Sequence, residues 1–297
     1  QFYRIVQCLE SGDEDVVTRT AGALWNMSSC GDGVRDALSM SGAMDQIVHC
    51  LRNEDDHSPD TLSNLLMALS VMSASRKVGD LVRELKGLDL AADLIDYYNE
   101  EDDPENSVAT AAVAAVWNLS HTPQNKEEFQ KMGIVEKILN FLDANMDNTG
   151  AMEKVCGALL TLGSHPAVSE DFRSMNGFDS LKVCLKHPKK AKLGLFAVIA
   201  VAVLGYDKET ADDAVETGVV ELLIKNFLGH KSENVLEKTT ACFLNITASK
   251  KVCTEVREKD GIRGLIACLT HPNQAIQSNA AGALWNMSSC GDGVRDA

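Results

Sequence analysis

Aromatic side chains are scarce in this chain. They make up 5% of its 297 residues, and only three are Trp. Proline is scarcer than average, at six positions, so little interrupts helix. Basic residues are outnumbered, with 28 Lys and Arg against 43 Asp and Glu, for a formal charge of -15. That sign excludes nucleic acid as the main partner, because phosphate binding needs a basic face. No apolar run approaches the roughly 20 residues that a membrane span requires. The longest, Leu193 to Gly205, is too short to cross. Metal and nucleotide signatures are missing too. The nine cysteines contain no CxxC, no His pairs with Cys or carboxylate at zinc spacing, and Gly31-Asp32-Gly33 does not continue into GxGxxG. Walker-type, HExxH and GxSxG motifs are absent. No cofactor, metal or catalytic constellation is expected, and the chain is not read as an enzyme. What abounds is Ala and Leu, which favour helix.

An internal period sets the architecture. Residues 281–297, AGALWNMSSCGDGVRDA, repeat residues 21–37 without a change, while the twenty residues before each copy agree only at Cys8/Cys268 and Leu9/Leu269. So sharp an edge points to recent copying within the gene or to a fault of sequence assembly. Anchoring on Trp25-Asn26 finds Trp117-Asn118, Leu244-Asn245 and Trp285-Asn286, with Val71, Thr161 and Val203 in the Asn position of weaker copies. The anchors are spaced 45, 47, 43, 42, 42 and 41 residues apart. A glycine follows each complete anchor by 15 or 16 residues: Gly42, Gly87, Gly133, Gly177, Gly218 and Gly261. Glycine at such a place suits a tight corner between helices, through close packing or positive φ.

Apolar spacing and breakers divide one unit into Ser107–Ser120, about Asn125–Lys131, and Ile134–Leu142, separated by Pro123 and Gly133 and preceded by Pro104. Pro188 and Pro272 stand in the corresponding gap before later long helices. No segment alternates with the period of a strand. The expectation is an all-α, right-handed superhelix, or solenoid, of three-helix units. One array should run over residues 1–297 as about six to seven repeats, in place of the two globular domains that length alone suggests. Without an initiator Met or a charged leader, it reads as a fragment of a longer array.

Ala-Gly-Ala-Leu-Trp-Asn-Met-Ser, the downstream glycine and the 42-residue pitch resemble armadillo repeats of the β-catenin-like type. The resemblance is strongest in the units anchored at 26, 118, 245 and 286. It implies a scaffold that binds extended peptides on a concave surface lined by the third, longest helix of each repeat. A nuclear-import adaptor of this family carries a groove Trp four residues before the Asn. Here those positions hold Gly22, Ala114, Ala241 and Gly282, so that branch is not expected.

An asparagine amide offers both donor and acceptor, so it can pair with the N–H and C=O of an extended guest without reading its side chains. Inner helices roughly 8–10 Å apart would meet a chain rising about 3.3 Å per residue every two to three residues. Asn26, Asn118, Asn245 and Asn286 are the candidate peptide-binding ladder, unless they merely satisfy helix-end carbonyls. Trp25, Trp117 and Trp285 either pack between repeats or face a partly wet interface. Arg19 and Lys238, one to two turns earlier, are candidates for selecting acidic groups.

The middle differs. LGLFAVIAVAVLG, residues 193–205, is either a groove for a partner helix or a buried helix. Beside it, Lys182, Lys186, His187, Lys189, Lys190 and Lys192 form the one dense basic cluster, solvated or facing an acidic partner. Glu54-Asp55-Asp56 and Glu100-Glu101-Asp102-Asp103 lack the ligand pattern of a calcium loop and read as solvated. The cysteines mostly fall at apolar helical positions and are expected reduced, in a cytoplasmic or nuclear setting, with Cys30 and Cys290 more exposed. Four NxS/T sequons coincide with the repeat motif and are not read as glycosylated. The chain is thus expected to bind an extended protein or peptide ligand. Two alternatives stand beside that reading: a regulatory or targeting array of a larger enzyme such as a ubiquitin ligase, and self-association through residues 193–205.

Overall fold

Residues 2–98, 107–187 and 190–290 are described in the computed structural model of the chain. The acidic run at 100–103, Pro104, Pro188, Lys189 and the end of the second motif copy, residues 291–297, lie outside them. Among the described residues every regular element is helical, and none is a strand. No helix among them is long and apolar enough to cross a membrane.

The chain divides into two compact units, residues 1–144 and 145–297. The first contains α1 (Phe2–Gln7), α2 (Glu14–Ser28), α3 (Asp32–Met40), α4 (Ala43–Arg52), α5 (Pro59–Met72), α6 (Arg76–Glu84), α7 (Gly87–Tyr97), α8 (Ser107–Leu119), α9 (Pro123–Lys131) and α10 (Ile134–Ala144). The second contains α11 (Thr149–Leu162), α12 (Pro166–Ser174), α13 (Gly177–Leu185), α14 (Ala191–Leu204), α15 (Lys208–Glu216), α16 (Val219–Asn226), α17 (Glu233–Ile246), α18 (Lys250–Glu258), α19 (Gly261–Cys268) and α20 (Gln274–Ser288). A long helix, a nine-residue helix and a third of 8–11 residues recur in the order that the spacing predicts. Long helices stack on long helices, α2 on α5 on α8 in the first unit and α11 on α14 on α17 on α20 in the second.

Local chemistry starts and stops these helices. Pro59, Pro123 and Pro166 occupy first helical positions, where the missing N–H costs nothing. Asp13, Ser58, Asn148, Asp207, Ser249 and Asn273 cap N-termini through their side chains. Glu14 adds a tie between repeats. Its carboxylate accepts from Thr61 Oγ1 at 2.6 Å, Ser58 N–H at 2.8 Å and His57 Nδ1 at 3.0 Å. Burial pulls its pKa upward, but those hydrogen bonds outweigh it and bring the carboxyl from 4.5 down to about 2.

The corner glycines solve one geometric problem in two ways. Gly42, Gly133 and Gly218 take positive φ themselves, at 79°, 68° and 77°. At the other three corners the positive φ falls one residue earlier, on Lys86, Asn176 and Asp260. There the glycine provides space instead: a Cβ on Gly87, Gly177 or Gly261 would stand 2.8, 2.4 or 2.8 Å from Val82, Phe172 or Val256. Both roles that the sequence allowed therefore occur, in alternating repeats.

The cores are apolar, filled by residues such as Leu62, Leu66, Val113, Phe129, Phe172, Leu204 and Phe243. Cys50, Cys156, Cys184, Cys242, Cys253 and Cys268 are buried free thiols, whereas Cys8 and Cys30 are exposed and Cys290 half-buried. Burial pushes the Cys50 thiol up to about 11, so it stays protonated.

Candidate functional site

The long helices carry the anchor residues, and within each unit their stacking brings equivalent positions side by side. Side chains on a helix lean toward its N-terminus, so an anchor reaches the preceding helix slightly before the preceding anchor. In the first unit, Asn118 Nδ2 donates to Ser70 Oγ at 2.8 Å, and Ser70 donates to the Ala114 carbonyl at 2.8 Å. In the second, Asn245 Nδ2 donates to the Ala202 carbonyl at 3.1 Å, and Asn286 Nδ2 to the Leu244 carbonyl at 2.9 Å. Ser70, Ala202 and Leu244 are each the residue just before the preceding anchor. The three amides therefore stitch neighbouring long helices by one rule.

In Asn118 and Asn245 the stitch uses one amide N–H and leaves the other N–H and Oδ1 without a protein partner among the described residues, whereas Asn286 Nδ2 also lies 3.4 Å from Thr247 Oγ1; all three residues are half-buried. Asn26 is exposed, and its amide has no protein partner among the described residues. Trp25 and Trp117 are half-buried, while Trp285 is 76% exposed.

A second row follows the same rule, and the motif search did not find it. Seven residues before their anchors, Asn64 Nδ2 lies 3.5 Å from the Thr18 carbonyl and Asn279 Nδ2 lies 3.4 Å from the Glu237 carbonyl. These are the first row's contacts moved two turns along the helices. Reading the aligned repeats column by column, instead of seeking the Trp-Asn motif, would have exposed it.

The candidate cations differ in state. Arg19 is exposed and has no partner among the described residues. Lys238 is not a bare charge: its Nζ lies 2.8 Å from Glu237, whose carboxylate also accepts from Asn273 Nδ2 at 3.4 Å. The Lys238 pair and hydrogen bonding hold the Glu237 pKa down. The acidic turn at 54–56 is ordered as a 3-10 turn. Of the basic cluster, Lys182 pairs with Asp179 and Lys192 with Glu153.

Helix α14 resolves the question of its apolar surface. Leu193, Ala197, Val198, Ala200, Val201 and Leu204 are buried by neighbouring helices, and Phe196, Ile199 and Val203 form a half-buried stripe. At the C-terminal end of this stripe a cavity of about 610 Å³ opens among Gly163, Arg173, Val203, Tyr206, Asp207 and Asn245. It lies where Thr161 and Val203 interrupt the asparagine row.

Residues 249–289, which span α18, α19 and α20, match the family model of the Armadillo/beta-catenin-like repeat. Over those residues the chain resembles an armadillo repeat. Its fold matches that of solved armadillo-type structures along nearly the whole chain. An engineered protein superposes with a TM-score of 0.85 at 20% identity, over 99% of this chain and 70% of that one. Computationally designed armadillo repeat proteins for modular peptide recognition superpose at 0.52 and 22% identity, over 96% of this chain and 99% of theirs. A chain from a structure describing a phosphorylation switch in the interaction between cadherin and beta-catenin superposes at 0.77 and 15% identity, over 97% of this chain and 53% of that chain. Among curated proteins, none matches the sequence.

Proposed function

We propose that this chain is a protein-interaction scaffold, one array over residues 1–297, that holds extended segments of partner proteins against its inner helices. The carrying observation is the bifunctional state of Asn118 and Asn245. Each is fixed by one donated hydrogen bond and keeps a donor and an acceptor for a guest backbone, while Asn286, whose Nδ2 also reaches Thr247 Oγ1, keeps its acceptor. A pre-positioned amide loses little rotamer freedom on binding, which favours affinity. Trp25, Trp117 and Trp285 flank the ladder as apolar surface for guest side chains, and Arg19 offers a charge for acidic ones. The neighbours designed for peptide recognition, and the one from the cadherin and beta-catenin study, support a binding role over a catalytic one. The same reading applies if the array is the targeting part of a larger enzyme.

The test is selection from a displayed random-peptide library, followed by titration of selected peptides against Asn118→Ala/Asn245→Ala. Two lost backbone-type hydrogen bonds per residue, each worth ~0.5–1.5 kcal/mol, predict at least about tenfold weaker binding. Unchanged affinity in a variant that keeps its helicity would refute the ladder.

A further inference from the structure

The second unit's inner surface changes charge across a single helix. At the N-terminal end of α14, Lys192 Nζ lies 2.6 Å from Glu153 and 5.9 Å from the centroid of the Phe196 ring. Lys154 of α11 stands close by, and burial together with the charge of Lys192 holds its ammonium below the ordinary lysine pKa. Exposed Lys190 stands at the N-cap of the helix and adds a further cation at this end.

The C-terminal end carries the opposite balance. The cavity there is bordered by Glu170, Asp207 and Glu209, with Arg173 the one cation among the described residues of its lining. Arg173 is committed internally, paired with Glu209 and 3.9 Å from Asp213. Tyr206 stands at the mouth, 77% exposed. A planar guanidinium suits such a place: it stacks on an aromatic face and pairs with a carboxylate in a fork. Between the two ends lies the Phe196, Ile199 and Val203 stripe, able to take the aliphatic stems of long charged side chains.

The 14 residues of α14 put these ends about 21 Å apart, as opposing walls. On the groove reading proposed above, a guest crosses the stacked helices, and an extended chain sends successive side chains to opposite sides. We propose that the groove over α11, α14 and α17 selects a mixed-charge segment of another protein, with carboxylate side chains on one parity and arginine side chains on the other. Each parity meets its complementary wall. A segment of one sign is repelled on one side, and a segment of mixed parity is repelled on both.

Four labelled peptides of equal length test this by fluorescence anisotropy against the intact chain. One alternates Glu and Arg, one has the same composition with both charges on both parities, one carries only Glu and one only Arg. The alternating peptide is expected to bind at least about tenfold more tightly than each of the others. Lys154→Gln/Lys192→Gln and Glu170→Gln/Tyr206→Ala should each remove most of that preference while thermal unfolding stays unchanged. Equal binding of the alternating and parity-mixed peptides, or preference for a single-sign peptide, overturns the parity rule. If none of the four binds, the rule also falls. The groove reading is judged separately, by library-selected peptides and the Asn118 and Asn245 variants.

Discussion

Asn125 offers the sharpest test of how these repeats hold together. It is fully buried at the start of α9. Its Nδ2 donates to the Gly79 and Leu119 carbonyls, both at 3.1 Å, and its Oδ1 accepts from Arg83 Nη1 at 2.8 Å. One amide thus joins α6, α8 and α9, where α6 approaches so closely that a Cβ on Gly79 would sit 2.5 Å from Thr122 Oγ1. Asn125→Ala removes three hydrogen bonds worth about 1 kcal/mol each, and it leaves a small void. Two partners retain something: Arg83 keeps Asp80 at 2.7 Å, and the Leu119 carbonyl keeps the Thr122 N–H at 3.2 Å. The expected loss is about 2–4 kcal/mol. For a unit of this size that lowers the melting temperature by roughly 5–12 °C. Asn125→Asp should cost more than Ala, because a carboxylate would confront two carbonyl oxygens with no proton between them. Urea and thermal unfolding followed by circular dichroism measure both variants. A loss below about 0.5 kcal/mol for Ala, or an Asp variant as stable as the parent, would refute the assigned amide orientation and the stitch with it.

Three further outcomes follow from the contacts described. The folded-state pKa of Glu14 lies below its ordinary value, so its contribution is present above pH 4.5 and is lost as pH falls from there toward about 2. After discounting for its partial exposure, about 1–2 kcal/mol should disappear over that range, and Glu14→Gln should flatten this part of the stability curve. Where the positive φ precedes the glycine, the corner's two positions predict opposite responses. Gly177→Ala drives a Cβ to 2.4 Å from the Phe172 ring and should cost about 1–3 kcal/mol, whereas Lys86→Gly relieves a φ of 56° and should stabilise by about 1 kcal/mol. Equal melting temperatures for these two variants would defeat this division of roles. Asn286→Ala removes the stitch to Leu244, and hydrogen exchange should show faster opening of α20 with α17 little changed.

The repeat was legible in the sequence because its signals are local. Helix starts at Pro123 and Pro166, corners at the six spaced glycines and the long apolar stretches all depend on residues within a few positions of one another. Expected and observed boundaries agree closely: Ser107–Ser120 against Ser107–Leu119, and Ile134–Leu142 against Ile134–Ala144. The motif also singled out Asn118, Asn245 and Asn286, whose amides join stacked long helices in the structure. It gave no sign that Lys238 would be taken up by Glu237, or that Asn64 and Asn279 would repeat the stitch two turns away. The Asn64 and Asn279 contacts join residues about one repeat apart.

By itself, then, the sequence determined that this is an array, how long each unit is, where its helices turn, and which residue types line the inner column. Helix propensity, capping and glycine at a corner act over one or two turns, and a linear pattern records them fully. Only the tertiary structure decided which amide group faces which carbonyl, which of each corner's two residues takes positive φ, and how the stripe on α14 comes to lie between a basic and an acidic end. Those outcomes depend on the stagger between stacked helices. A shift of one residue in that stagger would redirect every side chain in the column, and no single repeat's sequence specifies it.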